Sequence, residues 1–549
     1  MTEVELKFQV PAKARQAVEA AVARGASRRT RLQAIYYDTP DRRLAAASVA
    51  LRLRKEGRVW VQTAKADAAD AITRLEHNVP LVGALAAPAG TLPAADWQRH
   101  AGTPVGERLS SALAPREGES TPPPLAPQYR TDIWRRSREL RAPGGWVELA
   151  FDCGHLIADD RRLPVCELEI ELLRGRPGAV IAVARHWVAR HGLWLDVRSK
   201  AERGDCLARG APRSAVVKAA PIALDRDAAA DAARRAVVAN CLLQILPNAS
   251  EVASEVAREE AAGAAGESGC EDHVHQLRVG LRRLRSALRF FDGWTTPVDP
   301  ARAEALTQLF RQLGVARDFD ALAASLLPAL RLAGAPMFEL PPAPPGPTPS
   351  ELLRRPEATL AWLDWIAFQH GDPLARPAKV DRDAVPAPEG VEVTQAVLAA
   401  VAPAADPGPS LAEAAAQRLA RWHRRIVRAA KRYDELTDAE RHLLRKRVKR
   451  VRYATEFTAA LYRRKAVARY LSLLAPLQDT LGRYNDLCVG LETYRAVVGD
   501  DARAWFAVGW LVARRDELQA RSKKALARFA AGKPFWGDAT RRARKRPGG

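Results

Sequence analysis

Five short runs in the first 172 residues alternate charged and apolar side chains with a period of two: VELKF (4–8), LRLR (51–54), RVWVQTAK (58–65), WVELAFD (146–152) and CELEIEL (166–172). Such alternation marks a strand with one buried face, because successive side chains point to opposite sides. Glu3, Glu5 and Lys7 then share a face opposite Val4, Leu6 and Phe8. Arg52 and Arg54 oppose Leu51 and Leu53, and Glu167, Glu169 and Glu171 oppose Leu168 and Ile170. For any one strand a solvated face is the ordinary reading. Three carboxylates on one strand face repel one another, however, which is easiest to reconcile with cations between them. Arg52, Arg54 and Lys65 supply the forks and the point charge that bind phosphate. Together these faces suggest a substrate of several phosphates, bridged to the protein partly by a hard divalent metal, Mg²⁺ or Mn²⁺. There is no GxxxxGK[ST] loop and no Ser-His-Asp grouping, so water is left as the nucleophile.

After APRSAVVKAAP (211–221) the pattern changes to Ala-, Leu- and Arg-rich segments of helical period, continuing to about Phe535. Pro-rich stretches at 341–350, 376–388 and 402–409 interrupt it and read as linkers. The last residues, RRARKRPGG (541–549), are a basic tail. An internal duplication organises the helical part: HQLRVGLRRLRSALRFF (275–291) aligns with HLLRKRVKRVRYATEF (442–457), and LGVARDFD (313–320) with LGRYNDLC (481–488). Two copies of one helical bundle follow. The expected division is 1–206, a linker at 207–222, a helical domain at 223–535 with repeats at about 223–335 and 410–530, and a tail at 536–549.

The chain of 549 residues is 47% hydrophobic and 27% charged, which suits a globular protein with a sizeable core. Its 86 Lys and Arg against 64 Asp and Glu leave a net charge of +22, a field that gathers polyanions. Six cysteines, far apart and without a Cys-x-x-Cys pair, argue against a zinc site or a disulfide scaffold and fit a reducing cytoplasm. The charged N-terminal run is unlike a signal peptide and no long apolar stretch stands out, so neither export by that route nor a membrane span is expected.

On a helix, His275, Arg278, Arg282, Arg285 and Arg289 form one stripe beside Leu277, Leu281, Leu284 and Leu288. The second copy repeats it with His442, Arg445, Lys449 and Arg452 beside Leu444, Val448 and Val451. Arg421, Arg424, Arg425, Arg428, Lys431 and Arg432 follow one another without an acid. Like charges four apart destabilise a helix, so a face of one sign calls for a polyanion to neutralise it. Lys446 and Arg447 stand where the first copy has Val279 and Gly280, so the second helix is expected to pack differently.

The start EVELK resembles the ExExK signature of the CYTH, or triphosphate tunnel metalloenzyme, superfamily. LRLR (51–54), TAK (63–65), LEHN (75–78), TDIWRR (131–136), VELAFD (147–152), CELEIEL and RSKAERG (198–204) follow in the order of its pattern. The duplicated HxxRxxxRRxR form resembles the CHAD domain, a helical module associated with inorganic polyphosphate. The resemblance implies an α+β protein: a closed antiparallel β-barrel tunnel of about eight strands with outer helices, then an all-α domain of two duplicated bundles. It implies Glu3, Glu5, Glu148, Glu167 and Glu169 as metal ligands, and Arg52, Arg54, Lys65, Arg135 and Lys200, with Lys7, on the phosphate chain. Glu3, Glu5, Lys7 and Glu169 would be catalytic; Glu171 would be a rim charge and Asp152 an orienting group. His275, Arg278, Arg282, Arg285, His442, Arg445, Lys449 and Arg452 would bind polyphosphate. The implied activity is metal-dependent hydrolysis of inorganic triphosphate to pyrophosphate and phosphate, in the cytoplasm or at polyphosphate granules. The rivals are a non-catalytic polyphosphate-binding protein, an enzyme acting on thiamine triphosphate or ATP, and a nucleic-acid-binding protein.

Overall fold

The computed structural model describes residues 2–57, 59–68, 70–81, 94–255, 269–336, 346–371 and 410–537, with backbone alone over 315–325. The Pro-rich stretches at 376–388 and 402–409, the first half of that at 341–350, the side chains of 315–320 and the tail from 538 lie outside the described residues.

The N-terminal part is a closed antiparallel barrel. Its strands are β1 (Thr2–Gln9), β2 (Arg28–Asp38), β3 (Val49–Glu56), β4 (Val59–Asp67), β5 (Thr73–Pro80), β6 (Ala126–Ala142), β7 (Gly145–Ala158) and β8 (Arg161–Gly175). They run in the order β5-β4-β3-β2-β6-β7-β8-β1, and pairing of β1 with β5, from Thr2 opposite Leu75 to Val4 opposite Thr73, closes the ring. A two-residue β9 (Trp194–Leu195) adds to β1. Closure resolves the alternation: the charged faces turn into the barrel and the apolar faces outward under helices.

On the outside, Leu6, Phe8, Leu149, Phe151, Leu168 and Ile170 meet Val18 and Val22 of α1 (Arg15–Val22) and Val180, Ala184 and Val188 of a further helix (Pro177–His191). Leu51 and Ala64 pack instead beneath Leu44 of α2 (Arg43–Ala46) and Val105 and Leu109 of α3 (Pro104–Ala112). The Pro177–His191 helix is α4; α5 (Lys200–Arg209) follows, its Ser199 cap accepting from the Glu202 N–H.

Helices make up the rest: α6 (Ala230–Ala253), α7 (Glu271–Phe291), α8 (Pro300–Leu332), α9 (Pro349–Arg354), α10 (Pro356–Gln369), α11 (Leu411–Lys431), α12 (Asp438–Phe457), α13 (Arg464–Val497) and α14 (Ala504–Ala531). The duplicated segments form α7 and α12, which pack on each other. Glu271 and Asp272 sit at the positive end of the α7 dipole, and Thr437 with Glu440 makes a capping box at the start of α12. Gly280 lets α7 approach α6, since a Cβ there would lie 2.6 Å from Ile245 Cγ1. Its counterpart Arg447 is exposed, so the expected difference in packing has a steric cause.

One core runs through both parts, from β1, β7 and β8 through α4 to α6, α7 and α10. Across the junction Arg198 bridges Asp196 (2.7 Å) and Glu251 of α6 (3.1 Å), all three nearly inaccessible. Ser250 Oγ accepts from the Val197 N–H, and Thr359 Oγ1 accepts from Leu195. By length and composition α6 could cross a membrane, with an 18-residue window of hydropathy 1.2, but 72% of that window is buried here as a central core helix.

Candidate active site

The inward faces line a cavity of about 970 Å³. Glu3, Glu5 and Lys7 reach it from β1, Arg52 and Arg54 from β3, Lys65 from β4, Arg135 from β6, Glu148 from β7, Glu169 from β8 and Lys200 from the first turn of α5. Glu76, Asp152 and Glu171 join them.

Glu167 departs from the expected placement. It is 1% exposed, is on the inner face but not part of the cavity lining, and is held by Lys200, Arg203 and the Gln9 amide (3.3 Å). Glu171, expected at the rim, faces the cavity in its stead. Asp152 is also buried, and binds Arg135 through both oxygens, each at 2.7 Å.

Pairing register sorts the charges into layers. At one level Lys65 Nζ stands 2.7 Å from both Glu3 and Glu76. Burial pushes the Glu3 carboxyl up to about 9 against the pull of Lys65, and a hydrogen bond with Glu76 adds to the rise. Glu5 is also buried, but Lys7 at 2.8 Å and Lys65 outweigh the desolvation and hold it down at about 2. Deeper, Lys200 Nζ contacts Glu167 and lies 2.7 Å from Asp152 and 2.9 Å from Glu169, with Arg135 against the same two carboxylates at 152 and 169. Opposite, Arg52 Nη1 donates to the Tyr36 hydroxyl (3.1 Å), and Tyr36 stacks on Tyr129 at 4.7 Å. Arg52 and Arg54 line the cavity, and their buried Nε atoms meet no acceptor among the described residues, so both guanidinium groups are short of hydrogen-bond partners.

Two acidic groups compete as metal sites. Oxygens of Asp152, Glu167 and Glu169 lie within 4.8 Å of one another, but Lys200, Arg135 and Arg203 already neutralise them. The other is a row across three strands: Glu5 opposite Glu171, and Glu171 opposite Glu148. Glu148 and Glu171 have no ion pair among the described residues. Burial pushes Glu171 up to about 7 despite Lys65, with Glu5 and Glu169 adding repulsion. Uncompensated carboxylates offering hard oxygen donors suit a divalent cation of the Mg²⁺ class.

A second charged feature lies on the helices. Packing of α12 on α7 merges the two stripes: Lys449 faces Arg282, Arg445 and Arg278, and burial together with these guanidinium groups pushes its amine down to about 7, Asp486 opposing. Arg450 faces Arg289 and Arg285 and is pushed down to about 10, again chiefly by burial. Arg278 donates to the Gly314 carbonyl (3.2 Å), and Arg278 and Arg285 lie over the Phe310 ring. His442 Nδ1 contacts Asn485, and His275 is half-buried on the same stripe of α7. Arg452 falls outside, paired with Glu456 (2.9 Å) and Gln478 (3.2 Å). Arg450 takes the place expected for it. In the first copy the equivalent Arg283 is a core residue, 2% exposed, bonded to Gln244 and Asn240 at 2.8 Å each.

Comparison with known proteins agrees with both features. The model of the CYTH domain matches residues 1–204 and that of the CHAD domain residues 249–495. An inorganic triphosphatase of Haemophilus influenzae is 27% identical over 172 residues, 31% of this chain and 44% of that relative, so the match spans less than half of its length. The crystal structure of the CHAD domain from the plant Ricinus communis is similar at 28% identity and TM-score 0.38, covering 57% of this chain and 96% of that one. A Hippeastrum protein described as revealing a dominant triphosphatase activity is similar at 16% identity and TM-score 0.26, covering 38% and 96%. The chain is therefore a protein of CYTH–CHAD architecture, with the charged barrel as its CYTH domain and the merged basic stripes on its CHAD domain.

Proposed function

We propose that the barrel hydrolyses inorganic triphosphate with the help of a divalent cation held by Glu5, Glu171 and Glu148, and that the helical domain binds inorganic polyphosphate on the α7–α12 cluster. The observation that carries the first part is the presence in one cavity of two arginines with unsatisfied donors, Arg52 and Arg54, and of a carboxylate row in which Glu148 and Glu171 have no ion-pair partner among the described residues. Lys65, Arg135 and Lys200 add positive charge along the phosphate path. A divalent cation at the row would draw charge from the terminal phosphoryl group and offset the repulsion between carboxylates and the incoming anion. Arg52 and Arg54 then stabilise charge that develops on the phosphoryl oxygens as water attacks in line. Glu169 is fixed by Lys200 and Arg135, so it orients those cations toward substrate.

An inorganic rather than an organic triphosphate is favoured by the aromatic side chains near Arg52. Tyr36 stacks on Tyr129, and Tyr129 lies so close to Gly204 that a Cβ there would meet its ring at 2.2 Å, so this ring pair is already engaged. Phosphate release from tripolyphosphate, ATP and thiamine triphosphate, each with and without Mg²⁺, tests the assignment. Tripolyphosphate should have the highest kcat/KM and should require the metal. A higher value for ATP would replace the inorganic reading with a nucleotide enzyme.

For the second part, the support is convergence of cations from both copies on one surface with too few acids to neutralise them. Competition between long-chain polyphosphate and duplex DNA at equal total phosphate and about 0.15 M salt tests it, because both lose affinity with salt and only preference separates them. Equal or tighter binding of DNA would favour the nucleic-acid reading.

A further inference from the structure

Two thiols face each other on the outer wall of the barrel and have no part in the proposed hydrolysis. Cys153 of β7 and Cys166 of β8 are register partners, their Sγ atoms 3.6 Å apart. Both are free and half-buried under α1. None of the other four cysteines has a thiol neighbour among the described residues: Cys206 meets Ser214, Cys270 meets Arg213, Cys488 meets Tyr484, and Cys241 is fully buried.

Directly opposed residues of an antiparallel pair have Cα atoms about 4.5–5.5 Å apart, inside the span of about 4.4–6.8 Å that a disulfide accepts. Bond formation therefore asks for side-chain rotation and roughly 1.5 Å of sulfur approach, and leaves the ladder intact. The next rung inward is Asp152 opposite Glu167, whose side chains, on the inner face, hold Arg135 and Lys200. A covalent tie on the outer rung thus fixes the separation and twist of the strands that carry these carboxylates.

We propose that Cys153 and Cys166 form a reversible, peroxide-sensitive disulfide that slows the tunnel by locking the strands behind Arg135 and Lys200. In the first step one thiolate attacks a peroxide oxygen, the O–O bond breaks, and with one proton taken up the products are a sulfenic acid and water. In the second the other thiol attacks the sulfenic sulfur, its proton leaves with the hydroxyl as water, and the S–S bond forms. Two thiols and one hydrogen peroxide thus give one disulfide and two waters. A dithiol reductant reverses the tie by exchange.

The test uses the full chain treated with hydrogen peroxide, followed by intact mass and peptide mapping, with tripolyphosphate turnover measured before and after dithiothreitol. Expected are a loss of two mass units, a peptide joining Cys153 to Cys166, and a several-fold fall in turnover that dithiothreitol restores. Cys153→Ser and Cys166→Ala should each abolish the mass change and the sensitivity of turnover while leaving the reduced activity at the wild-type level. Absence of the joined peptide, or oxidation stopping at sulfinic acid on either residue, would overturn the site. A joined peptide with unchanged turnover would overturn its control of the tunnel. Should the reduced protein hydrolyse no triphosphate at all, the proposed function fails, while the mapped peptide still decides whether the thiols join.

Discussion

Glu148 and Glu171 stand directly opposite each other on β7 and β8, facing the cavity, and neither has an ion-pair partner among the described residues. Like charges in this position destabilise a sheet. Their neighbours relieve them only in part: Lys65 draws on Glu171 and Arg135 on Glu148 from beyond ion-pair distance, while Lys7 is engaged with Glu5 and Lys200 with the deeper carboxylates. Their ionised forms therefore repel each other, which burial has already answered by raising Glu171 to about 7, and a divalent cation between them would offset that repulsion.

Removing the charge at Glu171 should accordingly stabilise the free protein and disable the loaded one. For Glu171→Gln we expect a melting temperature in EDTA a few degrees above wild type, loss of the rise in Tm that Mg²⁺ gives the wild type, and a fall in tripolyphosphate turnover of at least about 100-fold. Calorimetry with and without Mg²⁺ checks the first two. An unchanged Mg²⁺ response would place the cation elsewhere, with the Asp152, Glu167 and Glu169 group as the next candidate.

A second prediction concerns the joint between domains. Glu251 on α6 neutralises Arg198, which is 4% exposed at the foot of the barrel. Truncating one partner of a buried pair costs about 3–5 kcal/mol, and the low end applies because Asp196 still holds Arg198. Glu251→Ala should therefore lose about 3 kcal/mol in urea unfolding. A loss below about 1 kcal/mol would mean that water already reaches this junction.

Strand parity makes the inner face of the barrel legible in the sequence, because a period of two assigns side without needing depth. Depth was not legible: whether Glu167 or Glu171 joins the row depends on the stagger between β1 and β8, which sets Glu5 against Glu171 and Gln9 against Glu167. The sequence stripe named Arg452, whereas Arg450 is the residue facing the first copy, for the same kind of reason. A helical stripe names a face, but its rotation toward a neighbour is set by contacts such as Gly280 on Ile245, which have no periodic trace. The junction at Arg198 and Glu251 carries no motif, since partners 53 positions apart meet only through the packing of α6.

That difference gives a third prediction. Arg450→Gln should weaken polyphosphate binding several-fold, because Arg450 faces Arg285 and Arg289 in the cluster. Arg452→Gln should change it by less than about 2-fold, as Arg452 is committed to Glu456 and Gln478. Titration of both variants with one polyphosphate preparation decides, and a reversed order would restore the stripe read from the repeat alone.

The last prediction is a pH dependence at Lys449. Its surroundings are Arg282 and Arg278 on α7, Arg445 on its own helix and Asp486 on α13, so guanidinium charge outnumbers carboxylate and desolvation adds to the cost of its ammonium form. With the amine at about 7 when folded and at an ordinary 10.5 when unfolded, the unfolded chain binds more protons between those limits. Stability from this group therefore rises as pH increases from about 7 toward 10.5, and the cost of charging is greatest below 7. A bound phosphate reverses the local field, raises the amine again and draws in a proton. Polyphosphate affinity should thus fall as pH rises from 6.5 to 9, a range in which the neighbouring arginines stay charged. Calorimetry in two buffers of different ionisation enthalpy should show proton uptake of up to about one per site near pH 8. Lys449→Arg, which keeps the charge over the whole range, should flatten the profile and abolish the uptake at that pH while retaining binding. An equally steep profile in Lys449→Arg would assign the titration to another group, His442 and His275 being the nearest choices on the same stripes.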